Sequence, residues 1–272
     1  MSVAVVLAGG GVTGIAWETG VLLGLERAGH DFVGRADLIV GTSAGSTVGA
    51  QVLSRLTLED LYRQQTADDH GEITPEINVE LLARILGELA LGGTSSDDRR
   101  REIGTLALGA RTVTPEERRR VIEWRLPTHD WPSRPLVLTA IDARSGEFVT
   151  WDKTSGVSLV DAVASSCAVP GVWPCVTIDG RQYYDGGLRT STNAHLAAGH
   201  DRVVIIAPLA QGITSLIQQE IDDLQAQGAT VSFITTDDEA KAAMGVNALD
   251  PTFRRVSAEH GLRQGLAARI TL

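Results

Sequence analysis

A chain of 272 residues that is 43% hydrophobic and 4% aromatic, with 29 glycines, has the make-up of an α/β protein built from Ala, Val and Leu, not of a disordered or fibrous one. A net charge of −10 gives the bulk surface no pull on phosphates, so no nucleic-acid partner is expected. Any contact with a membrane surface would be transient and rest on apolar or local groups. Two cysteines, Cys167 and Cys175, are too few for a disulfide scaffold and lack zinc-site spacing, so both read as inert core thiols of a reducing compartment, with the cytoplasm the expected location.

In chain order, Val3-Ala4-Val5-Val6-Leu7 is a continuous apolar run of the kind found in a parallel strand covered on both faces. No basic segment precedes it, so it reads as a strand and not a signal peptide, and no apolar run reaches the length of a membrane span. Gly9-Gly10-Gly11-Val12-Thr13-Gly14 follows as a glycine loop, and Ile15 to Glu26 reads as a helix ending near Gly29. A second buried strand, Leu38-Ile39-Val40, then turns through Gly41-Thr42-Ser43-Ala44-Gly45 into a helix of small residues. This is a G-x-S-x-G elbow, in which glycines permit a strained turn that pushes the Ser43 hydroxyl out at a helix N-terminus.

The glycine loop also fits G-x-G-x-x-G, so a nucleotide-dependent oxidoreductase must be weighed. That use requires an acidic residue at the end of the second strand, where this chain has Gly41-Thr42-Ser43; Asp31 and Asp37 both lie before it. The other use of the loop is as an oxyanion hole beside Ser43, built from glycine N–H groups.

From Leu56 to about Asp130 the chain is helical and polar, with starts at Thr57-Leu58-Glu59-Asp60 and Thr114-Pro115-Glu116-Glu117 and an apolar helix over Val79 to Leu91. Its charge clusters, Asp97 to Glu102 and Glu116 to Arg120, are mixed in sign and read as solvated helix faces. We expect one domain over residues 1–272, with residues 56–130 a helical insert placed to act as a lid.

Pro135 to Ile141 is another strand, and Asp142-Ala143-Arg144-Ser145-Gly146 a turn into Phe148 to Trp151. Ser158 caps a short helix, and Val176 to Tyr184 is a hairpin across Asp179-Gly180 that delivers Asp185-Gly186-Gly187 at a strand end. Two further strands, Asp201 to Ala207 and Thr230 to Ile234, flank a helix from about Ser215 to Gln227, and an amphipathic helix runs from about Ser257 to Ala268.

A serine hydroxyl attacks poorly until a neighbouring base takes its proton. Of the six histidines, His260 and His200 come late enough in the chain for a Ser-Asp-His order, but they read as mid-helix and helix-end residues. Asp185, with two glycines behind it, is the better base on access, although the same residues also make an ordinary turn.

Gly9-Gly10-Gly11-x-x-Gly14, Gly41-Thr42-Ser43-Ala44-Gly45 and Asp185-Gly186-Gly187, in that order and with Ala164 to Pro174 ahead of the last, resemble the patatin-like phospholipases over about residues 3 to 210. The resemblance implies a patatin-like three-layer α/β/α fold with a mainly parallel central sheet, and a lipid acyl hydrolase of phospholipase A type that needs no metal or other cofactor. By position it implies Ser43 as nucleophile and Asp185 as base. It places the oxyanion hole on the amides of Gly10 and Gly11, within the loop Gly9, Gly10, Gly11 and Gly14. The expected substrate is a lipid or other acyl ester, cleaved through an acyl-enzyme. Two positions depart from the family pattern. Thr13 stands where an Arg or Lys is frequent, which leaves neutral esters open beside phospholipids, and Asn193 is followed by Ala194 where a Pro is common. The alternative is a catalytically idle regulator that binds lipid or acyl chains on the same fold; it would have no use for an exposed hydroxyl beside a carboxylate.

Overall fold

The structure is a computed structural model that describes residues 1–68, 71–77, 80–81, 84–85, 96–208 and 214–270. Its centre is a mixed sheet, mostly parallel, of strands β1 (Val3–Leu7), β2 (Leu38–Gly41), β3 (Leu136–Asp142), β4 (Phe148–Trp151), β5 (Val176–Ile178), β6 (Arg181–Asp185), β7 (Arg202–Ala207) and β8 (Thr230–Thr235). The order β3-β2-β1-β7-β8 is parallel throughout, and β4, β5 and β6 enter antiparallel at the β3 side.

Alternation along the central strands makes the layers. Val5 and Leu7 of β1, with Ile39, Leu138, Val204 and Ile206, face one apolar cluster; Ala4 and Val6, with Val40, Val203 and Ile205, face the other. The first face is covered by helices α1 (Gly11–Arg27) and α3 (Ala44–Val52) and by the helix over Leu159–Ser166, the second by the helix over Thr214–Ala226. Helices therefore lie on both sides of the sheet, as expected.

In chain order the other helices are α2 (Phe32–Arg35), α4 (Leu58–Thr66), α5 (Asp97–Leu108) and α6 (Pro115–Arg125); Leu159–Ser166 is α7, Thr214–Ala226 is α8, and α9 (Asp238–Met244) and α10 (Arg254–Ala267) close the chain. Both helix starts read in the polar segment carry reciprocal capping boxes, Thr57 with Asp60 and Thr114 with Glu117. Most of Val79 to Leu91 lies outside the described residues. Among the described residues no helix is long and apolar enough to cross a membrane.

Three features differ from the sequence expectation. Helix α1 begins at Gly11, not Ile15, so the second half of the glycine motif is already its first turn. Helix α10 is joined to α1 through a seam of small residues more than through an apolar stripe: a methyl on Gly20 would fall 2.8 Å from the Leu262 nitrogen, and one on Gly265 2.9 Å from Gly24 Cα. The mixed-sign clusters are not wholly solvated. Arg100 and Arg118 are each 4% exposed, because both lie on the helix faces turned to the protein.

The register around β3 brings two chain reversals together. Leu138 pairs with Gly41 of β2 and Trp151 of β4, and Ile141 pairs with Tyr184 of β6 and Phe148 of β4. Since β4 holds one edge of β3 across both positions, β2 and β6 must share the other. They run toward each other along it, β2 ending at Gly41 beside Leu138 and β6 ending at Asp185 beside Ala140.

Candidate active site

Ser43 is the second residue beyond the end of β2. Its backbone takes φ 53° and ψ −117°, a left-handed conformation costly for a residue with a Cβ. The two elbow glycines allow it: a Cβ on Gly41 would lie 2.6 Å from the Gly45 carbonyl oxygen, and one on Gly45 2.7 Å from Leu7 Cβ. The strained unit is clamped from both sides. The Ser43 N–H donates to Ser166 Oγ at 2.9 Å, and the Ser43 carbonyl accepts from Ser46 Oγ at 2.6 Å and Cys167 Sγ at 3.1 Å.

Asp185 is 2% exposed, and its N–H donates to the Ala168 carbonyl at 3.1 Å. The Gly187 N–H donates to Asp185 Oδ1 at 2.7 Å, which fixes the carboxyl's rotation. The Ser43 side chain neighbours that carboxyl closely enough to favour its charged form. Burial pushes the Asp185 carboxyl up to about 7, against the lowering effect of Ser43, the Gly187 amide and the Arg118 charge.

A buried polar knot ties the two ends. Thr42 and Thr139 hydroxyls meet at 3.0 Å, and Asn193 Nδ2 reaches Thr42 Oγ1 at 3.1 Å and the Gly186 carbonyl at 3.2 Å. Asn193 is itself left-handed at φ 49° and fully buried. The Glu220 carboxylate holds this loop by accepting from Thr190, Thr192 and the Ala194 N–H.

The glycine loop faces Ser43: a Cβ on Gly9 would stand 3.5 Å from Ser43 Cβ. Its amides divide. Gly9 N–H donates to the Ser191 carbonyl at 2.9 Å and Gly14 N–H to the Gly10 carbonyl at 2.9 Å, so neither is available to a ligand. Gly10 and Gly11 are the N-cap and first residue of α1, where no carbonyl of the helix precedes them. Thr13 is fully buried, with its hydroxyl toward the Ala248 carbonyl, outside the site.

A narrow pocket opens over Ser43. Val12, Ile15, Val169, Trp173 and Leu249 form its apolar walls, and Arg118 and Arg125 of α6 reach it. No histidine is among the residues described as lining it. His200 is tied to the Ala197 carbonyl, His260 borders a groove with Phe253, His195 contacts Arg189 and Glu220, and His70 lies outside the described residues. Asp31 caps α2 and Asp37 accepts the Val3 N–H at 2.8 Å, so neither stands at the loop as a ribose-binding acid would.

Sequence reasoning missed Arg118, Ser166, Cys167 and Asn193 as parts of this site. The spacing Arg118, Val121, Ile122, Arg125 was the available signal for the first, since it is the buried stripe of α6 with arginine at both ends.

A family model described as Patatin-like phospholipase matches residues 5–198. No curated protein matches the sequence. Among solved structures the chain is similar to VipD from Legionella pneumophila, at TM-score 0.47 and 13% identity over 98% of this chain and 66% of that one. It is also similar to the type III effector protein ExoU, at TM-score 0.42 and 16% identity over 98% of this chain and 52% of that one. For ExoU in its heterodimeric complex with SpcU from Pseudomonas aeruginosa the values are 0.40, 17%, 98% and 52%. The chain thus spans less than two thirds of the length of each of these. On the extent of the family match and the mixed, mainly parallel sheet between helical layers, the chain belongs to the patatin-like phospholipase family and has the patatin fold.

Proposed function

We propose that the protein is a serine acyl hydrolase that cleaves carboxyl esters of lipids with a Ser43–Asp185 dyad. The observation that carries this reading is a buried carboxyl, raised to about 7, at the strand end that meets the strained Ser43 elbow, with no imidazole on the described pocket wall.

In this reading Asp185 takes the Ser43 proton as Oγ attacks the ester carbonyl, and the carbonyl oxygen becomes an oxyanion. The N–H groups of Gly10 and Gly11 stabilise that oxyanion, and the Ala44 N–H, at the start of α3 just after the nucleophile, is a third candidate donor. Collapse breaks the bond to the leaving alkoxide, which receives the proton from Asp185. Water then gives its proton to Asp185 and attacks the acyl-enzyme, and the carboxylic acid leaves as Ser43 recovers its proton. A carboxyl poised near neutrality suits both directions of transfer. The apolar walls from Val12 to Leu249 fit an acyl chain.

An alkyl fluorophosphonate tests the reading, because it reacts with an activated serine and loses fluoride. One adduct per chain on the Ser43 peptide, absent in Ser43→Ala and strongly slowed in Asp185→Asn, is expected. Labelling elsewhere, or of neither variant less than the parent, contradicts it.

A further inference from the structure

Arg118 is a charged group at the pocket that the proposed chemistry leaves without work. It projects from α6 and lines the same pocket as Ser43 and Gly11. Its guanidinium carbon lies 3.8 Å from the centre of the Trp173 ring, a cation–π contact. Nε and Nη1 are both buried without a hydrogen-bond partner among the described residues. Among those residues no carboxylate oxygen comes within ion-pair distance of it either. Its neighbour Arg125 differs: Nε and Nη2 bind the two oxygens of Glu72 at 2.8 and 2.6 Å, so that charge is already matched.

A buried cation without an ion-pair partner is costly; Nη2 also makes no hydrogen bond among the described residues, so it completes a fork with Nε on one edge or Nη1 on the other, suited to two oxygens of one anion. The position complements the glycine loop. Thr13 brings no charge to the loop and turns its hydroxyl to Ala248, so the positive charge beside Ser43 arrives from a different helix.

We propose that Arg118 is the specificity-determining residue of the site, anchoring an anionic phosphate group next to the scissile ester and thereby selecting phosphate-bearing over neutral lipid esters. This rests on Ser43 marking the reacting end of the pocket. The anion would lie on the Trp173 side, with the acyl chain along the apolar wall.

The parent is tested first, on dihexanoyl phosphatidylcholine against dihexanoylglycerol below their aggregation limits. A kcat/KM ratio of about tenfold or more for the phosphate ester is expected, the size of one charge-assisted bidentate contact. A ratio near one overturns the proposal. In Arg118→Gln the ratio is expected to collapse toward one, and in Arg118→Lys to survive in part, because charge remains without the fork. Equal losses on both esters, with an acid limb moved to higher pH, would mean that Arg118 acts through Asp185 and would overturn it.

Binding separates this from the hydrolysis reading. In Ser43→Ala, dodecylphosphocholine is expected to bind at least about tenfold more weakly when Arg118 is also Gln, and neutral dodecyl maltoside to change much less. Equal weakening of the two, or none, contradicts the anchor whether or not Ser43 proves to be the nucleophile.

Discussion

Ser166 Oγ accepts the main-chain N–H of Ser43 at 2.9 Å, so the strained elbow residue is held by a hydroxyl 123 positions away. The same turn after α7 supplies the Cys167 thiol to the Ser43 carbonyl and the Ala168 carbonyl to the Asp185 N–H. One short segment therefore sets the relative position of serine and carboxylate, although it contributes neither.

Ser166→Ala removes the acceptor and leaves a buried N–H unpaired at a position that already carries strain. A stability loss of about 1–3 kcal/mol is expected. The activity loss should exceed what that destabilisation explains, because the Ser43 conformation is what aims the hydroxyl. Urea unfolding and kcat on one soluble ester, measured on the same preparation, separate the two effects.

The Asp185 carboxyl gives pH dependences of opposite sign for activity and stability. Protonated, it cannot accept the Ser43 proton, so kcat/KM should fall about tenfold per unit below pH 7 and level off above it. Stability runs the other way. Between the ordinary aspartate value of 3.8 and about 7 the folded state holds a proton that the unfolded state has lost, so stability declines as pH rises through that window. Asp185→Asn removes the buried charge. Its melting temperature should exceed the parent's by more at pH 8 than at pH 5.

The Glu72–Arg125 pair near the site is buried, both side chains being only 4% exposed. Burial works against the Glu72 charge, but Arg125 holds its carboxyl below the usual range. Glu72→Ala strands a buried guanidinium and is expected to cost about 3–5 kcal/mol in chemical unfolding. Part of that stability should also disappear in the parent as pH falls below the ordinary glutamate range through the depressed folded value, because the carboxylate must then be protonated.

The parts of this molecule that local chemistry dictates were legible in the sequence. The β1 and β2 runs, the G-x-S-x-G elbow, the Thr57 and Thr114 caps and the Asp179-Gly180 hairpin each depend on residues within a few positions of one another. What escaped depends on partners far along the chain. Cys167 looked like an inert thiol because nothing nearby says that its Sγ reaches Ser43. Asn193 stands out in the sequence only for the residue after it, yet its amide spans Thr42 and Gly186. Arg118 sat in a mixed-sign cluster whose average character is solvated; only the face of α6 it occupies, shared with Val121 and Ile122, marks it as buried. The sequence puts the glycine loop ahead of the elbow, but which of its amides remain open depends on Ser191 taking Gly9 and on α1 starting early enough to take Gly14.

The central claim is that Ser43 and Asp185 act as a pair without histidine. The most direct test is hydrolysis of p-nitrophenyl esters, butyrate through dodecanoate, by the parent, Ser43→Ala, Asp185→Asn, His200→Ala and His260→Ala, each checked for native circular dichroism. The account predicts a loss of about 10³-fold or more in both dyad variants and near-parent rates in the histidine variants. A folded Ser43→Ala or Asp185→Asn that keeps more than about a tenth of the parent rate, or a histidine variant that loses activity as deeply, would contradict it.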